Sequence, residues 1–249
     1  MRPPLYILGI RLDNMTKDEA VALVVDYASS GQPHHVVTIN PEFIMQARGD
    51  SIFNQVLGEA HLALADGVGV IWASRLLGHP LKERIPGVDL MWSLASVAGS
   101  LGQSLYILGG RSGVAEQAAK ILTDSIPNLR IAGTWEGSPQ EEDEASIVEG
   151  VRAANPHYLF VAFGSPQQDL WIHRNLHRLG VPVAIGVGGS LDYISGRVRR
   201  APQWMRRLGL EWLFRLALQP WRWRRMLRLP QYAFLVIINA LRRYTHRLT

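Results

Sequence analysis

From residue 4 to residue 187, short apolar or β-branched runs alternate with segments of helical period, and that alternation leaves little choice of architecture. Strand-then-helix repetition is the mark of βαβ units that close a parallel sheet between layers of helix. The runs are Pro4–Ile10, His35–Ile39, Leu62–Ala65, Ser104–Leu108, Leu129–Gly133, Tyr158–Phe163 and Val183–Val187. Several, Tyr158–Phe163 among them, lack polar alternation, as strands covered on both faces do. Between them lie helical segments with legible ends. Thr16 precedes one, with Glu19 three residues later as in a capping box, and Gly31 stands just beyond its end. Others are expected at Ser112–Ser125, Gln140–Ala154 and Pro166–Leu179. The predicted fold is α/β, a Rossmann-like parallel sheet flanked by helices.

The strands stop near residue 196. Beyond about Arg200 the pattern is helical, Ala201–Leu218 and then Trp221 to Arg247, with breaks expected at Pro220 and Pro230. Charge divides at the same place. The chain's formal +5 is the sum of a body, residues 1–196, with 13 basic and 20 acidic residues, and a tail, residues 197–249, with 13 Arg and a lone acid, Glu211. Two units are therefore expected: a Rossmann-like body at 1–196 and a basic helical C-terminal appendage at 197–249.

Some chemistries are excluded at once. Cysteine is absent, so thiolate nucleophiles, iron–sulfur clusters and zinc ribbons are ruled out, and the eight His are scattered with no H-E-x-x-H motif, His173 and His177 being the one H-x₃-H pair. No metal site is expected. The run from Leu5 to Ile10 after Arg2 is too short for a signal-peptide core. The run Tyr232–Leu241 is about half of the roughly 20 residues needed to span a bilayer. A cytoplasmic protein is the expectation, with a tail that can lie on a bilayer but not cross one.

In open parallel sheets ligands sit beyond the carboxyl ends of the strands. Here those ends read Thr38-Ile39-Asn40-Pro41, Asp66-Gly67-Val68-Gly69, Gly109-Gly110-Arg111-Ser112-Gly113, Gly164-Ser165-Pro166-Gln167-Gln168 and Gly186-Val187-Gly188-Gly189-Ser190-Leu191-Asp192. Hydroxyls, amides, a carboxylate and glycine turns ahead of helices suit a nucleotide or phosphate ligand. Neither glycine cluster completes G-x-G-x-x-G, and there is no P-loop. Each residue also has a structural reading. Asp66 is a possible N-cap for a helix beginning at Gly67, Thr38 and Asn40 for one beginning at Pro41, and Gln167 a surface residue of a first helical turn.

Taken together, Thr38-x-Asn40-Pro41, Leu64-x-Asp66-Gly67, Arg84-Ile85-Pro86-Gly87-Val88-Asp89-Leu90, Phe163-Gly164-Ser165-Pro166-Gln167-Gln168, Gly186-Val187-Gly188-Gly189, Asp192, Gly196, Arg200-Ala201-Pro202 and Gly209-Leu210-Glu211-Trp212-Leu213-x-Arg215-Leu216 resemble, in order and spacing, the WecG/TagA/CpsF glycosyltransferases. The likeness runs from residue 5 to about residue 232. It implies inverting, metal-independent transfer from a UDP-sugar, N-acetylmannosamine-type or related, to a polyprenyl-diphosphate-linked sugar at the cytoplasmic membrane face, with no cofactor. It implies Asp66 as catalytic base, Thr38 and Asn40 as a polar pair, Gln167 as a pocket residue, and Arg215, Arg222 and Arg225 as appendage arginines reaching the donor diphosphate. Arg84, Asp89, Gly109, Gly186 and Gly188, from the same motifs and strand ends, complete the substrate-binding candidates.

The residues supply reasons of their own. One pocket carboxylate suffices to take the proton from an attacking hydroxyl. No Asp-x-Asp, the usual holder of a divalent cation in glycosyltransferases, occurs in this chain, and guanidinium groups bind diphosphate bidentately. Trp204, Trp212, Trp221 and Trp223 interleave with the tail's arginines, a pattern that settles at an anionic lipid interface. The alternatives are a tail packed on the acidic body with its tryptophans in a core, or a non-catalytic basic module that binds membrane or nucleic acid. No nucleic-acid partner is expected, since that reading leaves the glycine-rich strand ends without a purpose, and a homo-oligomer is left open. Where relatives usually carry Glu-Pro this chain has Gln219-Pro220, and Asp169 stands where Glu or Lys is common. Both are expected to be tolerable surface changes. Ser138-Pro139 follows Gly137 where an aromatic is common, and this loop is expected to touch the sugar, with Arg84 or Arg111 available should the sugar be acidic.

Overall fold

The computed structural model describes residues 4–245. Arg2 and Arg247, which bounded the first apolar run and the last helix, lie outside the described residues. Six strands form a parallel sheet: β3 (His34–Ile39), β4 (Leu62–Ala65), β5 (Ser104–Gly109), β6 (Arg130–Trp135), β7 (Tyr158–Ala162) and β8 (Val183–Gly186). Their order is β4-β3-β8-β7-β5-β6 and every pairing is parallel. The α/β fold is as the sequence predicts. The four inner strands and β4 are buried almost throughout, while β6, at the edge, is only half covered.

The first run departs from expectation. Pro4–Ile10 does not join the sheet but folds on itself, Leu5–Ile7 (β1) pairing antiparallel with Ile10–Leu12 (β2). Leu8 and Gly9, at φ +49° and +90°, form the two-residue turn, a conformation that glycine supplies without steric cost. Leu5, Ile7, Ile10 and Leu12 are all buried against the helices that flank β3 and β4.

Helix starts follow their caps. The Thr16 hydroxyl accepts from the Glu19 N–H and the Glu19 carboxylate accepts from the Thr16 N–H, closing the capping box ahead of the helix Lys17–Ser29. Asn40 caps the helix Pro41–Gly49 through Phe43 N–H at 3.1 Å, with Pro41 at its first position.

After Gly196 come short helices, Gln203–Arg207 and Glu211–Leu218, then a 3₁₀ turn Pro220–Arg222, a single turn Trp223–Met226 and the long helix Arg228–Thr245. The expected continuous helix Ala201–Leu218 is divided at Gly209, which takes φ +74° against the side chain of Val68. Pro230 does not break the last helix. It sits in its first turn, where a missing N–H costs no intrahelical bond. That helix returns to the body: Tyr232 and Val236 are buried in the same core as Phe43, Val70 and Ile71, beside the helices Pro41–Gly49 and Val68–Leu76. By contrast the segments between 203 and 226 bury no residue.

Candidate functional site

The body's strand ends and the appendage enclose a cavity of about 1100 Å³. Its floor is the carboxyl end of the sheet. Thr38 and Asn40 leave β3, Asp66 leaves β4, Ser165 and Gln168 follow β7, and Gly188 to Tyr193 follow β8. Its roof is the appendage, with Leu208–Trp212, Arg215, Arg222, Arg225 and one side of the last helix.

Four carboxylates line this space, not one: Glu42, Asp66, Asp192 and Glu211. Three are ion-paired to arginine. Glu42 holds Arg225 and Arg228, Asp192 holds Arg215 at 3.4 Å, and Glu211 holds Arg200 at 3.1 Å and Arg84 at 3.5 Å. Asp66 alone makes no ion pair among the described residues. Its backbone N–H donates to Ile39 O at 2.8 Å, which fixes it at the strand end, and its carboxylate accepts from the Gly87 N–H. Enclosure by protein raises its pKa from 3.8 to about 6, against the pull of the Arg84 charge and with a smaller push from Glu211. The N-cap reading of Asp66 fails. Gly67 occupies the cap position, at φ +106°, and the helix Val68–Leu76 has no side-chain cap, so the carboxylate is left to the cavity.

Opposite stand the arginines. The Arg215 guanidinium lies 4.8 Å from the centre of the Tyr193 ring and rests directly on Gly189, where any side chain would overlap it. Arg222 has no carboxylate within ion-pair reach among the described residues. Its nearest polar partner is Gln219 Oε1 at 3.4 Å, which also accepts from Arg215 Nε at 3.4 Å. Burial, followed by repulsion from Arg215 and Arg225, lowers the Arg222 pKa to about 10, so it stays charged at neutral pH. A desolvated guanidinium without a counter-charge, beside two more of its kind, suits an anion. Gln219 is thus no surface change. A neutral amide there accepts from both Arg215 and Arg222 and leaves Arg222 without a counter-charge among the described residues.

Of the remaining candidates, Arg84 and Gly188 line the cavity, and Asn40 both lines it and caps its helix. Thr38 lines it too and packs beneath Gly87. The others lie elsewhere. Asp89 is outside the cavity, gripped by Arg200 at 2.5 and 3.0 Å, which draws its pKa down. With Glu211 and Arg84 this network fastens the appendage to the body. Gly109 ends β5 at φ +92°, its missing side chain making room for the backbone of Ala162. Gly186 leaves space for the Asp169 carboxylate and Gln168 amide beneath it. Gln167 points to solvent, whereas Gln168, 2% exposed, faces the cavity. The two adjacent glutamines look alike in sequence, and only the turn of the helix Gln167–Asn175 decides which points inward. Asp169 also corrects expectation, being wholly buried against His35.

The cavity has a second character toward its mouth, where Trp72, Leu76, Leu208, Trp212 and Ile237 line it and are all exposed. Trp204, Trp221 and Trp223 are exposed as well, so the tryptophans are not a core. No helix among the described residues is long and apolar enough to cross a membrane. Arg111 and the Gly137-Ser138-Pro139 loop close the far side.

Over the carboxyl ends of the sheet, then, one cavity holds both a carboxylate without an ion pair among the described residues and a cluster of arginines. The chain belongs to the WecG/TagA/CpsF family of glycosyl transferases, whose model matches residues 5–246. It is similar to the N-acetylglucosaminyldiphosphoundecaprenol N-acetyl-beta-D-mannosaminyltransferase of Bacillus subtilis (strain 168), 40% identical over 81% of this chain and 78% of that protein. Proteins of the same name in Bacillus spizizenii (strain ATCC 23059 / NRRL B-14472 / W23) and Staphylococcus aureus (strain MW2) are 36% identical over 86% of this chain and 83% of theirs, and 34% identical over 87% and 85%.

Proposed function

We propose that this protein transfers an N-acetylmannosamine-type sugar from a UDP-sugar to a polyprenyl-diphosphate-linked N-acetylglucosamine, with inversion, at the inner face of the cell membrane. The observation that carries the reading is the contrast between Asp66 and its neighbours: one carboxylate of four has no arginine partner, and it shares the cavity with Arg222, which has no carboxylate within ion-pair reach among the described residues. The acceptor hydroxyl oxygen attacks the anomeric carbon, its proton passes to Asp66, and the carbon–oxygen bond to the diphosphate breaks with its electron pair leaving on UDP. Arg215, Arg222 and Arg225 receive the growing negative charge. The sequence has no Asp-x-Asp, and these guanidiniums take the part a divalent cation plays in other glycosyltransferases. Addition of a chelator is therefore expected to leave turnover unchanged, and its loss with recovery on adding Mg²⁺ or Mn²⁺ would refute an arginine-only site. The relatives' names, which specify a beta-D-mannosaminyl transfer and a diphosphoundecaprenol acceptor, support both the inversion and the lipid.

A base with this pKa has a signature. Free-enzyme kcat/KM should climb about tenfold per pH unit below about pH 6 and level off above it. A limb near pH 4 would show that Asp66 is not enclosed as described.

The apolar mouth supports a lipid-linked acceptor. Trp72 on the body and Trp212 on the appendage flank the opening, beside a tail rich in arginine, and such a surface binds anionic bilayers by apolar insertion and charge together. Sedimentation with vesicles of phosphatidylglycerol and phosphatidylethanolamine should recover the protein. The pair Trp72→Glu and Trp212→Glu should reduce that recovery several-fold without changing UDP binding. Undiminished recovery would place the bilayer contact elsewhere.

A further inference from the structure

Beneath the cavity floor lies a buried polar chain that catalysis by Asp66 and the arginines does not use. His35, on β3, and Asp169, in the first turn of the helix Gln167–Asn175, are 1% and 0% exposed, and His35 Nε2 is 3.4 Å from Asp169 Oδ1. The other oxygen of Asp169 accepts from Gln168 Nε2 at 3.3 Å. A carboxylate only accepts, so both contacts are donations to it, and the His35 proton sits on Nε2. An amide whose NH₂ is held on one side must turn its carbonyl to the other. Gln168 Oε1 is buried, has no hydrogen-bond partner among the described residues, and points at Gly188, which lines the cavity.

A buried acceptor without a donor is costly unless a ligand supplies one. The rest of the arrangement fits that use. Asp169 sits at a helix N-terminus, where the backbone dipole favours a carboxylate, and the absence of a side chain at Gly186 is what admits both the carboxylate and the amide.

We propose that the His35–Asp169 pair positions Gln168 so that its carbonyl oxygen is presented to the cavity as a fixed acceptor for an N–H or O–H group of the donor nucleotide-sugar. His35 and Asp169 are positioning residues and touch no substrate. The inference rests on the UDP-sugar reading above. It assigns the site a specificity rule: ligands with a hydrogen-bond donor opposite Gln168 are accepted, and isosteres lacking it are rejected.

The test is a double-mutant cycle read by UDP binding and by donor KM. Gln168→Ala should weaken donor recognition about tenfold, and Asp169→Asn, which frees the amide to rotate, should weaken it by a similar factor. In the Gln168→Ala background, Asp169→Asn should add less than twofold, because nothing is left to position. His35→Gln keeps a donor near the place of Nε2 and should behave as the wild type, whereas His35→Phe should reproduce Asp169→Asn. This pair decides the matter if Asp169→Asn fails to fold. A purely structural role would lower the melting temperature and leave donor KM unmoved, or would show an undiminished Asp169→Asn effect without Gln168, and either result overturns the proposal. So does a Gln168→Ala protein with wild-type donor recognition. Should the wild type bind no UDP and use no UDP-sugar, it is the functional reading that fails.

Discussion

Replacing Asp66 with Ala should lower kcat by about 10²–10⁴-fold while UDP still binds with near wild-type affinity, because the base acts on the acceptor proton and not on the nucleotide. Asp66→Asn makes a sharper version of the same test. Folded protein holds the Asp66 proton up to about pH 6, whereas an unfolded chain releases it near 3.8. The group therefore contributes stability that is fully present below pH 3.8 and is lost as pH rises through 6. At pH 7 the enclosed charge is a liability on the order of 1–3 kcal/mol, which a neutral amide of the same shape removes. Asp66→Asn is thus expected to be inactive and more stable than the wild type at pH 7, with the gain in melting temperature shrinking toward pH 4. An inactive but destabilised variant would mean that Asp66 serves the fold. Near-normal turnover would remove it from the mechanism.

The second large effect concerns the arginines. Each charge-assisted bond to a diphosphate contributes about 1.5–3 kcal/mol, so the pair Arg215→Ala and Arg222→Ala should cut kcat/KM by at least about 10²-fold. The loss should appear in both UDP affinity and kcat, since the diphosphate gains charge as it leaves. Arg222→Ala by itself should change the melting behaviour little. Arg222 has no carboxylate to abandon, and removing it relieves repulsion with Arg215 and Arg225. Arg215 and Arg225 are different cases, because they also hold Asp192 and Glu42, and their loss would leave those carboxylates short of a partner. Wild-type affinity for UDP in the double variant would mean that the cavity's anion sits elsewhere. Deleting the whole appendage is a poorer experiment than the charge asymmetry at residue 196 suggests. Removal of Tyr232 and Val236 would uncover apolar surface on the helices Pro41–Gly49 and Val68–Leu76.

These particulars show which links were legible in the sequence. The parallel strands were, because runs such as Tyr158–Phe163 must be buried on both faces, and so were the caps at Thr16 and Asn40, whose chemistry is local. The hairpin at Leu5–Leu12 was not: an apolar run followed by Gly9 fits a strand or a turn equally, and tertiary packing decides. At the site, the strand ends brought Thr38, Asn40, Asp66, Arg84, Gly188 and the three appendage arginines to one cavity. Asp89, Gly109 and Gly186 fall just behind the residues that line it, doing work in packing and ion pairing. The inward turn of Gln168 in place of Gln167, and the burial of Asp169, depend on one residue of helical phase, about 100° of rotation. The contrast among the four carboxylates was invisible, since which acid meets which arginine across 11 to 183 residues of chain is settled only by the fold.

The most direct measurement is transfer itself. Purified protein would be incubated with a panel of UDP-sugars that includes UDP-N-acetylmannosamine and with a short-chain polyprenyl-diphosphate N-acetylglucosamine, and the product's anomeric configuration read by NMR. The account predicts a β-linked disaccharide lipid formed without added metal and lost in Asp66→Ala. No transfer from any donor by folded protein, or a product that retains the donor's configuration, would contradict it.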